Sequence, residues 1–144
     1  MARRSSPPIP DLPPPTPKLP RRLVASPGRS LARAGTGGCF VVLGWDAYLE
    51  PGGRAVKAAA LGLPRPEVAV TLNGGAMVVA GVALACGVAP RLMAGVLAAL
   101  LAPTTLAGHP FWTETDPKAR AQQRTQFLKN LCMLGGLVEL ALGD

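Results

Sequence analysis

The chain has 144 residues, of which 49% are hydrophobic and only 16% charged, and it carries a formal net charge of +7. That charge fraction is low for a soluble domain, where about 25% is usual, and the length allows a single domain. The basic surplus does not point to nucleic acid, because seven of the fifteen Lys and Arg fall in the first 33 residues, beside an apolar run and without the interleaved aromatics of a base-stacking surface.

In chain order, residues 1–28 come first, rich in Pro, Arg and Ser, with nine of the sixteen prolines between Pro7 and Pro27. Such a segment buries too little apolar surface to offset its ordering entropy, so a disordered or polyproline-like tail is expected. Arg3-Arg4 is followed by prolines rather than an apolar core, so the tail is not a signal peptide. Residues 29–144 form the remaining domain.

Four apolar segments follow. The first spans about residues 31–49 and stops at Glu50-Pro51-Gly52-Gly53. The second, about 68–88, has no charge across 21 residues. A tight break at Ala89-Pro90-Arg91 leads to the third, about 92–108, with Pro103 inside it, and the fourth covers about 127–142. A helix needs about 20 residues to cross the hydrocarbon core. The second segment meets this outright, the first and third meet it with their flanks, and the fourth is marginal.

The runs are rich in Ala, Leu and Gly and lack period-two alternation, which disfavours strands. A soluble bundle would need polar helix faces, and residues 68–88 offer none. The expected fold is therefore all-α, a four-helix transmembrane bundle in the lipid bilayer. Gly81-x-x-x-Ala85 and Gly95-x-x-x-Ala99 bring small residues to one face for close packing, and Gly35, Gly37 and Gly38 serve the same purpose in the first helix. Cys39, Cys86 and Cys132 lack a C-x-x-C spacing and are expected to be small buried hydrophobes.

An even number of spans puts both termini on one side. That side holds eight Lys and Arg against six on the other, with the excess concentrated before the first helix. This predicts cytoplasmic N- and C-termini.

Helix rise then places several polar residues at one depth. Asp46 lies near the outer end of the first helix, Asn73 near the outer start of the second, and His109 at the end of the third. Lys129 and Asn130 fall in the first turn of the fourth. All lie within roughly 8 Å of the outer interface. Trp45, Tyr48, Phe111, Trp112 and Phe127 mark the same level. Two readings are open: an aromatic belt with ordinary helix-end polar residues, or a polar pocket in which Asp46 pairs with Lys129 close to His109. On the last helix, Lys129, Cys132, Gly136 and Glu139 share a face.

His109 is the only histidine, which excludes a bis-histidine haem in one chain, and Met77, Met93 and Met133 lack the spacing to support His/Met ligation. The sequence carries no zinc or iron ligand cluster, no nucleotide-binding glycine loop and no Ser/His/Asp arrangement.

Three stretches carry a family resemblance: Gly44-Trp45-Asp46-Ala47-Tyr48-Leu49-Glu50-Pro51; Asn73-Gly74-Gly75 with Gly81; and His109-x-Phe111-Trp112 followed by Phe127-Leu128-Lys129-Asn130 and Gly135-Gly136-Leu137. Over about residues 31–143 the chain resembles the DoxX family of small four-helix membrane proteins. It departs from the family at Asp46, where relatives carry a different polar residue, and at Asn73, which replaces a frequent glutamate. The resemblance implies an integral protein of the plasma (inner) membrane, and some relatives are linked to quinone-reducing or oxidative-stress oxidoreductase assemblies. On that basis the chain is expected to be a small subunit of such an assembly, with Asp46, Asn73, His109, Trp112, Lys129 and Asn130 meeting a quinone headgroup or a partner subunit. The rival expectations are a non-catalytic scaffold and a small-solute permease, the latter needing a homo-oligomer at this length.

Overall fold

The computed structural model describes residues 26–143. Five helices follow one another: α1 (Pro27–Leu49), α2 (Gly52–Ala60), α3 (Pro66–Ala85), α4 (Pro90–Gly108) and α5 (Pro117–Leu142). No strand occurs among the described residues. The expected tail lies outside them up to residue 25, whereas Pro27 and Gly28 already belong to α1.

The helix boundaries differ from those expected of hydropathy alone, and the reason is chemical. All four long helices start at a proline, namely Pro27, Pro66, Pro90 and Pro117. Proline suits the first helical position because its φ is already helical and its missing N–H would have no partner there. Apolarity begins later, at about residues 31, 68, 92 and 127. The offset is largest in α5, whose first ten residues, from Pro117 to Gln126, are polar yet helical. Asp116 Oδ2 accepts the Ala119 N–H at 2.7 Å and caps that extension.

At the other ends, α2 and α3 close in the same way. Gly62 and Gly87 adopt φ of +77° and +74°. Their N–H groups reach the carbonyls of Ala59 and Leu84, and the following residues, Leu63 and Val88, reach Ala58 and Ala83. This is the Schellman stop, which satisfies the last carbonyls through a left-handed residue. It ends α3 at Ala85 rather than near Val88.

The fifth helix, α2, was not expected. Its nine residues turn Ala55 and Ala58 inward and leave Val56 exposed. It packs on α3 and α4, filling the connection between α1 and α3.

The long helices form a row in which α1 packs on α3, α3 on α4 and α4 on α5, while α1 and α5 make no comparable approach. The closest packing is α1 on α3. A Cβ on Gly81 would lie 2.7 Å from the Gly37 carbonyl oxygen, with Ala85 alongside, so the two backbones touch. Gly44 and Gly74 repeat this contact seven residues along each helix. Around Gly95 there is instead nothing within 4 Å of a Cβ, so its small size serves no contact within the chain. Gly35 and Gly38 are likewise open, leaving Gly37 as the packing glycine of its group. Phe40, Leu84, Leu97 and Leu137 are the largest fully buried side chains and tie the four helices into one core.

Within α4, Pro103 removes one N–H from the ladder. The hydroxyls of Thr104 and Thr105, just past it, donate back to the Leu100 and Leu101 carbonyls at 2.8–3.1 Å.

Two helices, α3 and α4, are long and apolar enough to cross a membrane. Only 28% of the most apolar stretch of each is buried. Leu72 and Val79, near the start and past the middle of α3, are 68% and 70% exposed. These apolar faces suit lipid contact. The three cysteines are free and exposed rather than buried.

Candidate functional site at the α2 end

Where α1 and α4 finish and α3 and α5 begin, polar contacts link α2, α4 and α5. Lys57 on α2 is half-buried, and its Nζ donates to the carbonyl of Gly108, the last residue of α4, at 2.5 Å. A cation there meets the negative end of the helix dipole and an otherwise unpaired carbonyl. The next residue, His109, has Nδ1 2.8 Å from Oε1 of Gln123 on α5. With the amide so oriented, its oxygen only accepts, so the proton sits on Nδ1. Two polar contacts thus join α2 to α4 and α4 to α5.

The loop between α4 and α5 is pinned from several sides. Arg120 Nε and a terminal guanidinium nitrogen donate to the Glu114 carbonyl at 2.9 and 2.6 Å. The Thr113 backbone N–H and hydroxyl both donate to the Pro110 carbonyl. Phe111, Trp112 and Phe127 meet edge-to-face in a closed triad with centroids 5.2–5.9 Å apart. Such geometry is favourable for aromatic quadrupoles. Trp112 nevertheless remains 54% exposed. Trp45 and Tyr48 stack at the end of α1, 6.1 Å apart.

The residues singled out from the sequence fall in several separate places. Asp46 is exposed and lines a shallow groove with Leu49, Glu50 and Arg54. Lys129 is also exposed, in a groove formed wholly on α5 by Thr125, Leu128, Cys132 and Met133. The two grooves share no residue. Asn73 is half-buried and donates to the Met77 sulfur one turn on, at 3.4 Å. Asn130 is half-buried on the inward stripe of α5. His109 and Trp112 stand in the loop cluster just described.

Two partners in these contacts, Lys57 and Gln123, were not among the expected residues. Lys57 lies 51 residues from its acceptor, a separation no local spacing reveals. Gln123 was legible in principle, because it extends the inward periodicity of Phe127, Asn130, Leu134 and Leu137 by one turn.

The DoxX family model matches residues 28–110, from the first turn of α1 to the residue after His109. No curated protein and no solved structure matches the chain. The matched stretch includes α1 to α4 and excludes α5, so Trp112, Lys129 and Asn130 lie beyond it. Covering more than half of the sequence, it places this chain in the DoxX family, as a membrane protein.

Proposed function

We propose that this DoxX-family membrane protein crosses the plasma (inner) membrane four times, through α1, α3, α4 and α5. In this reading α2 lies at the outer interface and both termini are cytoplasmic. The alternation of helix directions supports it, as do the exposed apolar side chains along α3 and the Lys/Arg excess before α1.

Within that frame the protein acts as a small, non-catalytic subunit of a membrane-bound oxidoreductase assembly, and its outer end docks a partner subunit. The oxidoreductase part of the reading comes from the family resemblance. The docking part is carried by one observation, the exposed Trp112 held rigidly by Phe111 and Phe127 on a loop fixed by Arg120. A pre-ordered aromatic anchor of this kind is typical of interface hot spots. Quinone binding at His109 and Lys129 has less support, because Nδ1 of His109 is engaged by Gln123 and Lys129 opens onto a shallow groove elsewhere on α5.

Isolation in mild detergent, with identification of co-purifying proteins and an absorption spectrum, tests this proposal. A redox-active subunit should accompany the wild-type chain and be lost from Trp112→Ala without loss of helix content. Absence of any redox-active partner, or its full retention by Trp112→Ala, would count against the docking role.

A further inference from the structure

The two helices at the ends of the row, α1 and α5, turn unusual faces outward. On α3 the outward residues are apolar, as Leu72, Val79 and Val82 show. On α5, beside the exposed Leu128, Leu131 and Val138, a stripe of Lys129, Cys132, Gly136 and Glu139 is also exposed and recurs at intervals of three and four. On α1, Gly35, Cys39, Val42 and Asp46 are exposed at the same kind of interval. A Cβ at Gly35 or Gly136 would meet nothing within 4 Å, so both surfaces are open to close approach. Intervals of three and four make a seam that can face a second helix.

The two seams also match each other. Helices α1 and α5 run in opposite directions, so residues at one level have numbers with a constant sum. Asp46 with Lys129, Val42 with Cys132, Cys39 with Gly136 and Gly35 with Glu139 sum to 174 or 175. Opposite charges meet at the α2 end, small residues meet in the middle, and Glu139 faces a glycine that leaves its side chain room to reach the opposite surface. Within one chain these faces stay apart, since Asp46 and Lys129 line separate grooves.

We infer that a second copy of this chain, inserted in the same orientation, docks its α1 on α5, with its Asp46 paired to Lys129. The occupant is another copy because both halves of the complementary surface belong to this sequence and lie at one depth. A contact between two different faces closes into a ring where the rotation between copies allows, the smallest closed form being a two-fold dimer that makes the contact twice. The inference rests on the reading that α1 and α5 both cross the bilayer.

Disulfide trapping in native membranes tests it. Gly136→Cys, with Cys86 and Cys132 replaced by Ala, should oxidise to a covalent dimer through Cys39 on a non-reducing gel. Val42→Cys should do the same through native Cys132 when Cys39 and Cys86 are replaced. Asp46→Lys should lower the dimer yield about tenfold, the scale of one broken charge pair, and adding Lys129→Asp should restore it. An intrachain disulfide, or no dimer from either cysteine pair in protein that resists carbonate extraction, would overturn the pairing alone. Release of the protein by carbonate would instead overturn the spanning reading and this inference with it.

Discussion

Gly44 of α1 and Gly74 of α3 face each other so closely that a Cβ on Gly44 would lie 2.6 Å from the Gly74 carbonyl oxygen. Association of apolar helices in lipid gains little from the hydrophobic effect and depends on close packing. This glycine pair, repeated at Gly37 and Gly81, lets the α1 and α3 backbones touch, while Phe40 anchors α1 in the common core.

Gly74→Ala or Gly81→Ala should destabilise the fold by about 1–3 kcal/mol, because neither obstructing backbone can move without parting the helices. Gly95→Ala, placed where nothing lies within 4 Å, should be close to neutral. Reversible unfolding in detergent micelles measures all three. Equal effects at Gly74 and Gly95 would show that the close approach does not matter.

Lys57→Met should cost up to about 2 kcal/mol, the range for a cation at a partly buried helix C-terminus. The same substitution should increase amide exchange around Gly108 and His109. An unchanged melting midpoint together with unchanged exchange would remove the capping role.

His109→Ala and Gln123→Ala should each destabilise modestly, and the double variant should cost less than the two combined. A coupling energy of about 1 kcal/mol is expected for one direct hydrogen bond. Strict additivity in the double-mutant cycle would mean the contact contributes nothing.

Asp116→Ala removes the side-chain acceptor at the start of α5 and should cost about 1 kcal/mol. Its effect should appear as faster amide exchange over residues 118–120, with the 127–142 portion unaffected. Uniform loosening of all of α5 would contradict a local cap.

The four long helices were legible because each contains an apolar stretch that no strand pattern fits. Their starts were not, since hydropathy marks where the apolar stretch begins and proline marks where the helix begins. Pro117 and Phe127 show the difference, ten residues apart on the same helix. Helix α2 escaped notice because nine residues of Gly, Ala, a single Val and two cations carry little apolar signal, and its place is set by packing on α3 and α4. For the candidate site, helix rise alone carries no information on which way each residue faces. Asp46 and Lys129 accordingly line separate grooves, whereas His109 finds Gln123, which shares the inward stripe of α5.

Thiol accessibility on a cysteine-free background tests the four-span arrangement most directly. Single cysteines would be placed at Gly28, Gly53, Val88, Glu114 and Gly143, positions at or beyond the ends of the apolar stretches and exposed except for the half-buried Glu114. Gly53→Cys and Glu114→Cys should react with a membrane-impermeant reagent on intact cells, and the other three only after permeabilisation. Reaction of Gly28→Cys and Gly53→Cys from the same side, or of Glu114→Cys and Gly143→Cys from the same side, would show that α1 or α5 does not cross and would contradict the account.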